Sequence, residues 1–254
     1  MDSKTYKLLA AAIIVGVVAL IAVVVVIVTL NSSSTNNTAA SNQADASSNY
    51  FSASTDKVWN ENMVLGNFEK AHNHFVEYAD PMCGYCGKFS LALIENKPKF
   101  HSDYLDNNKL SLEVRLTDLL QSDDKVDNSK RAAEYAYCAA DQGRFEDYYD
   151  AFMEQLNKDY FSKGIGSYHG APEIEHLADS YYDDVAKGVN LDEGKLLSCI
   201  KSGQGGAQLK KTTASANRII NGGLPNFWFN DFKTGGFEGG WDNVKKMFAA
   251  GGVA

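Results

Sequence analysis

Two cysteines three residues apart, in Cys83-Gly84-Tyr85-Cys86, are the part of this chain best suited to chemistry. The apolar, strand-like run His74-Phe75-Val76-Glu77-Tyr78 stops at Asp80-Pro81, and a helix is predicted beyond Cys83, through Phe89 to about Ile94. The thiols then straddle the first turn of a helix that follows a strand. There the free backbone N–H groups and the positive end of the helix dipole favour thiolate over thiol. Cys83 is expected to be exposed and nucleophilic, with Cys86 one turn behind it and placed to close a disulfide. A C-x-x-C can also be half of a zinc site, but such a site needs two further ligands at matching spacing. No second C-x-x-C exists, Cys138 and Cys199 stand alone, and His72 and His74 lie on the strand approach. Dithiol–disulfide exchange is therefore the expected chemistry, with no metal and no cofactor beyond the Cys83-Cys86 pair.

Positioning those thiols requires a sheet and its covering helices. From about residue 56 the chain offers roughly 200 residues, enough for one domain with a substantial core. Residues 58–66 and 74–78 read as strands, and 109–116 alternates polar and apolar as a half-buried strand does. Because a helix separates 74–78 from 109–116, a parallel pair is the economical reading. A helical block follows at 129–142, 145–157, 172–187 and 191–201, then one more helix at 208–220. Gly143, Gly188 and Gly203 sit just past predicted helix ends, Pro172 suits a first helical turn, and Asn190 with Glu193 resembles a capping box. Residues 227–230 form a strand, the region 235–237 its hairpin partner, and 241–250 a closing helix.

Glu77 six residues before the first cysteine, the strand-to-helix C-x-x-C, a helix-rich stretch of over a hundred residues and then Gly223-Leu224-Pro225-Asn226-Phe227-Trp228-Phe229-Asn230 together resemble the DsbA-like thiol-disulfide oxidoreductases of the thioredoxin superfamily. The likeness covers about residues 56–254 and implies an α/β, thioredoxin-like fold with a helical insertion at about 123–205. It implies a cis proline at Pro225 facing Cys83 and Cys86, with Leu224 as the residue whose backbone pairs with a substrate peptide as an added strand. Gly84 and Tyr85 would border the same peptide. Glu77 would relay a proton to Cys86 if burial raises its pKa, whereas a glutamate in an alternating strand otherwise faces solvent. Relatives usually carry a small or β-branched residue before this proline and a threonine or alanine after it; here Leu224 and Asn226 stand there. Substrate preference does not carry over.

Residues 8–30 are an unbroken apolar run, long enough as a helix to cross the roughly 30 Å of a bilayer core and longer than the usual apolar region of a signal peptide. Lys4 and Lys7 precede it and no Lys or Arg follows until Lys57, so residues 1–7 are expected in the cytoplasm and the catalytic part outside, anchored in the cell membrane by a single pass. Residues 31–55 are Ser, Asn, Thr and Ala with almost no apolar side chains, a disordered linker of about 25–30 Å reach. The formal net charge of -8 argues against nucleic acid, which wants a basic face. Acidic residues at helical spacing, Glu146, Asp147, Asp150 and Glu154, read as a solvated face. The doublets Tyr148-Tyr149 and Tyr181-Tyr182 read as helix packing.

In an oxidising compartment unpaired thiols are liabilities. Cys138 and Cys199 could each be a small buried residue on its own helix; a structural disulfide between them is favoured, worth about 3–4 kcal/mol in the chain-entropy model. The motif leaves the direction of electron flow open between oxidase, isomerase and reductase. A monomeric oxidase is favoured, since residues 1–55 offer no dimerisation domain and the insertion is larger than compact reductases carry. Its partners would be unfolded or reduced secreted proteins and, for reoxidation, a quinone-linked membrane thiol oxidase. A tethered binding or assembly protein with a structural Cys83-Cys86 bond is the alternative of another class.

Overall fold

The computed structural model describes residues 60–253 apart from positions 124, 167, 168 and 231. The anchor and linker expected at 8–30 and 31–55 lie outside these residues. Among the described residues no helix is long and apolar enough to cross a membrane.

The strand that precedes the cysteines, β2 (His74–Ala79), lies at the centre of a five-stranded sheet. On one side it pairs in parallel with β3 (Ser111–Leu116), which carries the two-residue edge strand β1 (Val64–Leu65) antiparallel to it. On the other side it pairs antiparallel with β4 (Asn226–Phe229), followed by the second edge, β5 (Phe232–Lys233). Aromatic and β-branched residues suit this central position, where both faces are covered. Phe75 shows why: its ring lies 5.2–6.1 Å from those of Phe89, Phe227, Phe229 and Phe248, a cluster that joins the sheet to two helices. Those helices are α1 (Gly84–Ile94), which begins at the cysteines, and the closing α8 (Gly240–Ala250).

A short α2 (Lys97–Phe100) and a π-helical turn at His101–Leu105 lead from α1 to β3. Between β3 and β4 stand α3 (Asn128–Ala140), α4 (Phe145–Asp159), α5 (Asp179–Gly188), α6 (Glu193–Ser202) and α7 (Gln204–Ile219). The first four make the helical insertion. A disulfide joins Cys138 of α3 to Cys199 of α6.

Several boundaries differ from expectation, each for a local reason. The first strand is only Val64–Leu65, because Glu61–Met63 form a 3-10 turn capped by the Asn60 side chain. The helix expected at 172–187 starts at Asp179, and residues 172–178 are neither helix nor strand, Ala178 being extended. Their backbone is satisfied by side chains instead. Asn128 donates to the carbonyls of Ile174 and Glu175 and accepts from the Leu177 N–H, while Gln121 donates to Ile174. Asn190 is no cap; it adopts φ +57°, and Asp192 caps α6 by accepting from the Lys195 N–H. The hairpin partner of β4 is Phe232–Lys233 rather than 235–237.

β3 is buried along its whole length, not half-buried. Its alternating charges pair with one another, Arg115 donating to both carboxylate oxygens of Glu113 and to the Tyr78 hydroxyl. The acidic face of α4 is also partly engaged, for Lys97 lies 3.1 Å from Glu146 and 2.8 Å from Asp150. Of the tyrosine doublets, Tyr148, Tyr149 and Tyr182 are buried in helix packing, as the pattern suggested.

At Gly205, in the first turn of α7, a Cβ would meet the Glu134 carbonyl oxygen of α3 at 2.8 Å. Gly205→Ala is therefore expected to force the helices apart at a cost of about 1–3 kcal/mol. A urea midpoint equal to the parent's would refute this. Replacing both Cys138 and Cys199 by Ala is expected to remove about 3–4 kcal/mol, again read in urea.

Candidate active site

Cys83 is the N-cap of α1, and the first free N–H groups of the helix surround its sulfur. The Cys86 N–H donates to Cys83 Sγ at 3.4 Å, and the Leu224 carbonyl oxygen lies 3.5 Å away. Both thiols are free. The Cys86 thiol, donating to Cys83, leads in pulling the Cys83 pKa below the ordinary thiol value; the Cys86 and Tyr85 N–H groups add to it, against burial and the charge of Asp80. Cys86 moves the other way. Burial pushes it well above the ordinary value, and its bond to Cys83 and the charges of Cys83 and Glu77 push further. The pair thus sets a thiol that ionises more readily than usual beside a reluctant acid.

The expectation that Cys83 is exposed is not met. It is 7% exposed, at the floor of a groove of about 630 Å³ rather than on an open surface. Leu224, Leu119, Leu120, Ile174 and Ile220 give the groove apolar walls, and Gly84 and Tyr85 its rim. Tyr85 is 45% exposed, with Lys88 Nζ 4.7 Å from its ring centroid. The Leu224–Pro225 peptide bond is cis. Leu224 also lines a second, smaller hollow with Pro225, Tyr85 and Phe237, so Leu224 and Tyr85 border both recesses. His169, without an identified partner in the sequence, borders the larger one; His176 lies 3.4 Å from Asp127. Cys138 and Cys199 are remote from all this, on the insertion.

Glu77 does not face solvent. It is 1% exposed, with its Oε1 unpartnered among the described residues. Register accounts for this: in the central strand Glu77 pairs with Val114 on one side and Phe227 on the other, on the face that also carries Phe75. Burial raises its pKa well above the carboxylate range, and the charge of Cys83 adds to the shift.

A second buried carboxyl was missed in the sequence. Asp80 Oδ1 accepts from the Met82 N–H and the Ser129 hydroxyl, and its Oδ2 from the Leu120 N–H. One carboxylate thus ties the cysteine loop, a groove wall and the start of α3. In the sequence Asp80-Pro81 reads only as a strand terminator; the signal was an acid beside a C-x-x-C in a run with no nearby cation. Burial raises its pKa to about 6, outweighing the three hydrogen bonds that favour the anion. Asp80 holds its proton more tightly in the folded chain than in the unfolded one, so protonation favours folding. That contribution is fully present below the unfolded value near 3.8 and is lost as pH rises through about 6. The stability difference between parent and Asp80→Asn should therefore move against the parent between about pH 4 and about pH 6. A difference independent of pH, from urea titrations across that window, would contradict the assignment.

The family model described as Thioredoxin matches residues 57–236. Comparison with curated protein sequences gives no match. Among solved structures the chain is similar to the thiol-disulfide exchange protein alpha-DsbA2 from Wolbachia pipientis, at 16% identity over 83% of this chain and 97% of that one, TM-score 0.55. It is similar to BdbD from Bacillus subtilis at 18% identity, covering 74% and 91%, TM-score 0.55. MdbA, a thiol-disulfide oxidoreductase from Actinomyces oris, gives 14% identity, 74% and 86% coverage and TM-score 0.56. At such identities the likeness is one of fold, that of the DsbA-type oxidoreductases. With the family model matched over most of its length, the chain belongs to the thioredoxin family.

Proposed function

We propose that this protein is a thiol-disulfide oxidoreductase acting as a dithiol oxidase, introducing disulfides into reduced secreted or envelope proteins. The observation that carries the direction is the unequal pair. A stabilised Cys83 thiolate stabilises the reduced enzyme, and a stabilised reduced form makes the disulfide a strong oxidant.

The reaction starts from the Cys83-Cys86 disulfide. A substrate thiolate attacks Cys83 Sγ, the sulfur that borders the groove; the Cys83–Cys86 bond breaks and its electron pair goes to Cys86 Sγ. Cys86 is fully buried, and its high pKa makes it take a proton at once; Glu77, close enough for their charges to interact, is the donor. A second substrate thiolate then attacks the substrate sulfur of the mixed disulfide and expels Cys83 as its thiolate. Two substrate thiols have become a disulfide, and the enzyme is left with Cys83 thiolate and Cys86 thiol. Leu224 and Pro225 would hold the substrate backbone beside Cys83, with Gly84 and Tyr85 at its edge.

The setting we propose is the outer side of a cell membrane, with residues 8–30 as a single-pass anchor and 31–55 as tether. The Cys138-Cys199 disulfide supports an oxidising compartment. Reoxidation would come from a quinone-linked membrane thiol oxidase, and the enzyme would work as a monomer with no cofactor.

Two measurements on the full chain test this. Equilibrated in glutathione buffers, Cys83-Cys86 should show a potential near -120 mV; a value near -270 mV, that of thioredoxin, would overturn the oxidase direction. Cys86→Ser should accumulate mixed disulfides on Cys83 with reduced client proteins, and an absence of trapped clients would count against the roles given to the two thiols.

A further inference from the structure

Behind the cysteines, on the side away from the groove, a cavity of about 20 Å³ lies between α1, α4 and the sheet. It shares no residue with the groove. Most of its wall is apolar, from Leu93, Phe100, Leu112 and Val114. Three polar groups interrupt that wall at the inner end, Glu77, Ser90 and Tyr149: Glu77 Oε1 is buried and without a hydrogen-bond partner among the described residues, and the buried Tyr149 hydroxyl has only Ser90 beside it. Leaving such atoms unsatisfied costs about 1–3 kcal/mol each. A polar cavity of about 10–15 Å³ or more holds a water that finds two to four partners, so this one has both the room and the partners. At the outer end stand Lys97, Glu146 and Asp150, partly exposed and joined to one another.

We propose that this cavity is the proton port of the buried cysteine, in which ordered water on Glu77 Oε1 and the Tyr149 hydroxyl connects the Glu77 carboxyl to Asp150 and solvent. The inference rests on the oxidase reading above and adds to it Tyr149 and Asp150 as positioning residues. Once Glu77 has given its proton to Cys86, its carboxylate takes one from the port water. That water takes one from the Asp150 carboxyl, which recovers it from solvent. No other bond changes, and the port stays open while a substrate peptide fills the groove. The groove is lined by none of the residues that line the cavity, so the port reaches Glu77 independently of the bound peptide.

The groups around Glu77 fit this traffic. Cys83 and Cys86 act on it from α1, β3 offers only the apolar Leu112 and Val114, and β4 pairs Phe227 with it. From α4 come Tyr149, whose own proton is held tightly by burial, and farther out Asp150, raised to about 6 by burial against the pull of Lys97. Asp80, at the end of the same strand, also acts on Tyr149. His101 bonds Glu146 at the mouth at 2.7 Å. A carboxyl with a pKa of about 6 at the mouth gives and takes protons readily near neutral pH.

The test is single-turnover reduction of the oxidised full chain by a reduced, cysteine-containing peptide, followed from pH 5 to pH 8 in H₂O and D₂O. Tyr149→Phe keeps the ring and removes the hydroxyl. Asp150→Ala opens the mouth to chemical rescue. Each variant is expected to slow the step by about tenfold or more, to enlarge the solvent isotope effect and to leave the Cys83-Cys86 potential within error of the parent. Added acetate should restore most of the Asp150→Ala rate. Folded variants with the parent's rate, pH profile and isotope effect would overturn the port and leave the oxidase reading standing. A slowed Asp150→Ala that acetate does not rescue would also overturn it, because a structural defect is then sufficient. A parent chain that does not exchange with the peptide at Cys83 overturns the oxidase reading and the port together.

Discussion

A carboxylate buried beside a sulfur anion is expensive to keep unless each of its lone pairs is met. Asp80 meets that demand by drawing on three separate stretches of chain: its own loop at Met82, the groove wall at Leu120 and the start of the insertion at Ser129. Much of the site's geometry depends on this one group. The cysteine loop cannot turn without losing the Met82 bond, and the wall carrying Leu119 and Leu120 cannot swing out without stranding a backbone N–H. Ser129 passes the restraint on by donating to Asp80 and accepting from the Gln121 N–H, and Asn128 beside it holds the irregular segment 174–177. A chain of polar side chains therefore fixes the parts of the apolar groove wall that carry Leu120 and Ile174.

The thiols use the same physics with the opposite aim. Both sulfurs lie at a helix start, yet the fold moves their acidities in opposite directions, one stabilised by donors and the other deprived of solvent. The two thiols are one helical turn apart and both buried; what distinguishes them is that Cys83 receives hydrogen bonds while burial dominates at Cys86. Glu77 extends the pattern one step deeper, as an acid whose hold on its proton is strengthened by burial in the sheet.

How much of this could be read from the amino acids depended on whether the partner was near in sequence. The strand, the Asp-Pro stop and the C-x-x-C are contiguous, so the junction of β2 and α1 was legible, and with it the parallel pair across the intervening helix. Leu224-Pro225 was recognisable through its family resemblance. Residues 172–178 were misread as helix because their hydrogen-bond partners are Gln121 and Asn128, some fifty residues upstream, and no local pattern signals a side chain that replaces a helical turn. The alternation of 109–116 told which residues share a face but not that Glu113 and Arg115 neutralise each other inside the protein. Asp80 escaped because its role lies in donors from 120 and 129, and the exposure of Cys83 was overstated because the groove walls come from distant segments.

The sheet ends in two very short strands, Val64–Leu65 and Phe232–Lys233. Among the described residues these are its only margins, and the second is conspicuously uncovered, with Phe232 76% exposed. A long bare margin would be a template on which any extended polypeptide could add itself, and aggregates grow in that way. Two residues present too few backbone groups for such growth, and one of them is a lysine, Lys233, a charge that disfavours edge pairing. For a protein proposed to work among chains that have not yet folded, brevity at the margins is a form of self-protection: clients can be held at the groove without being recruited into the sheet.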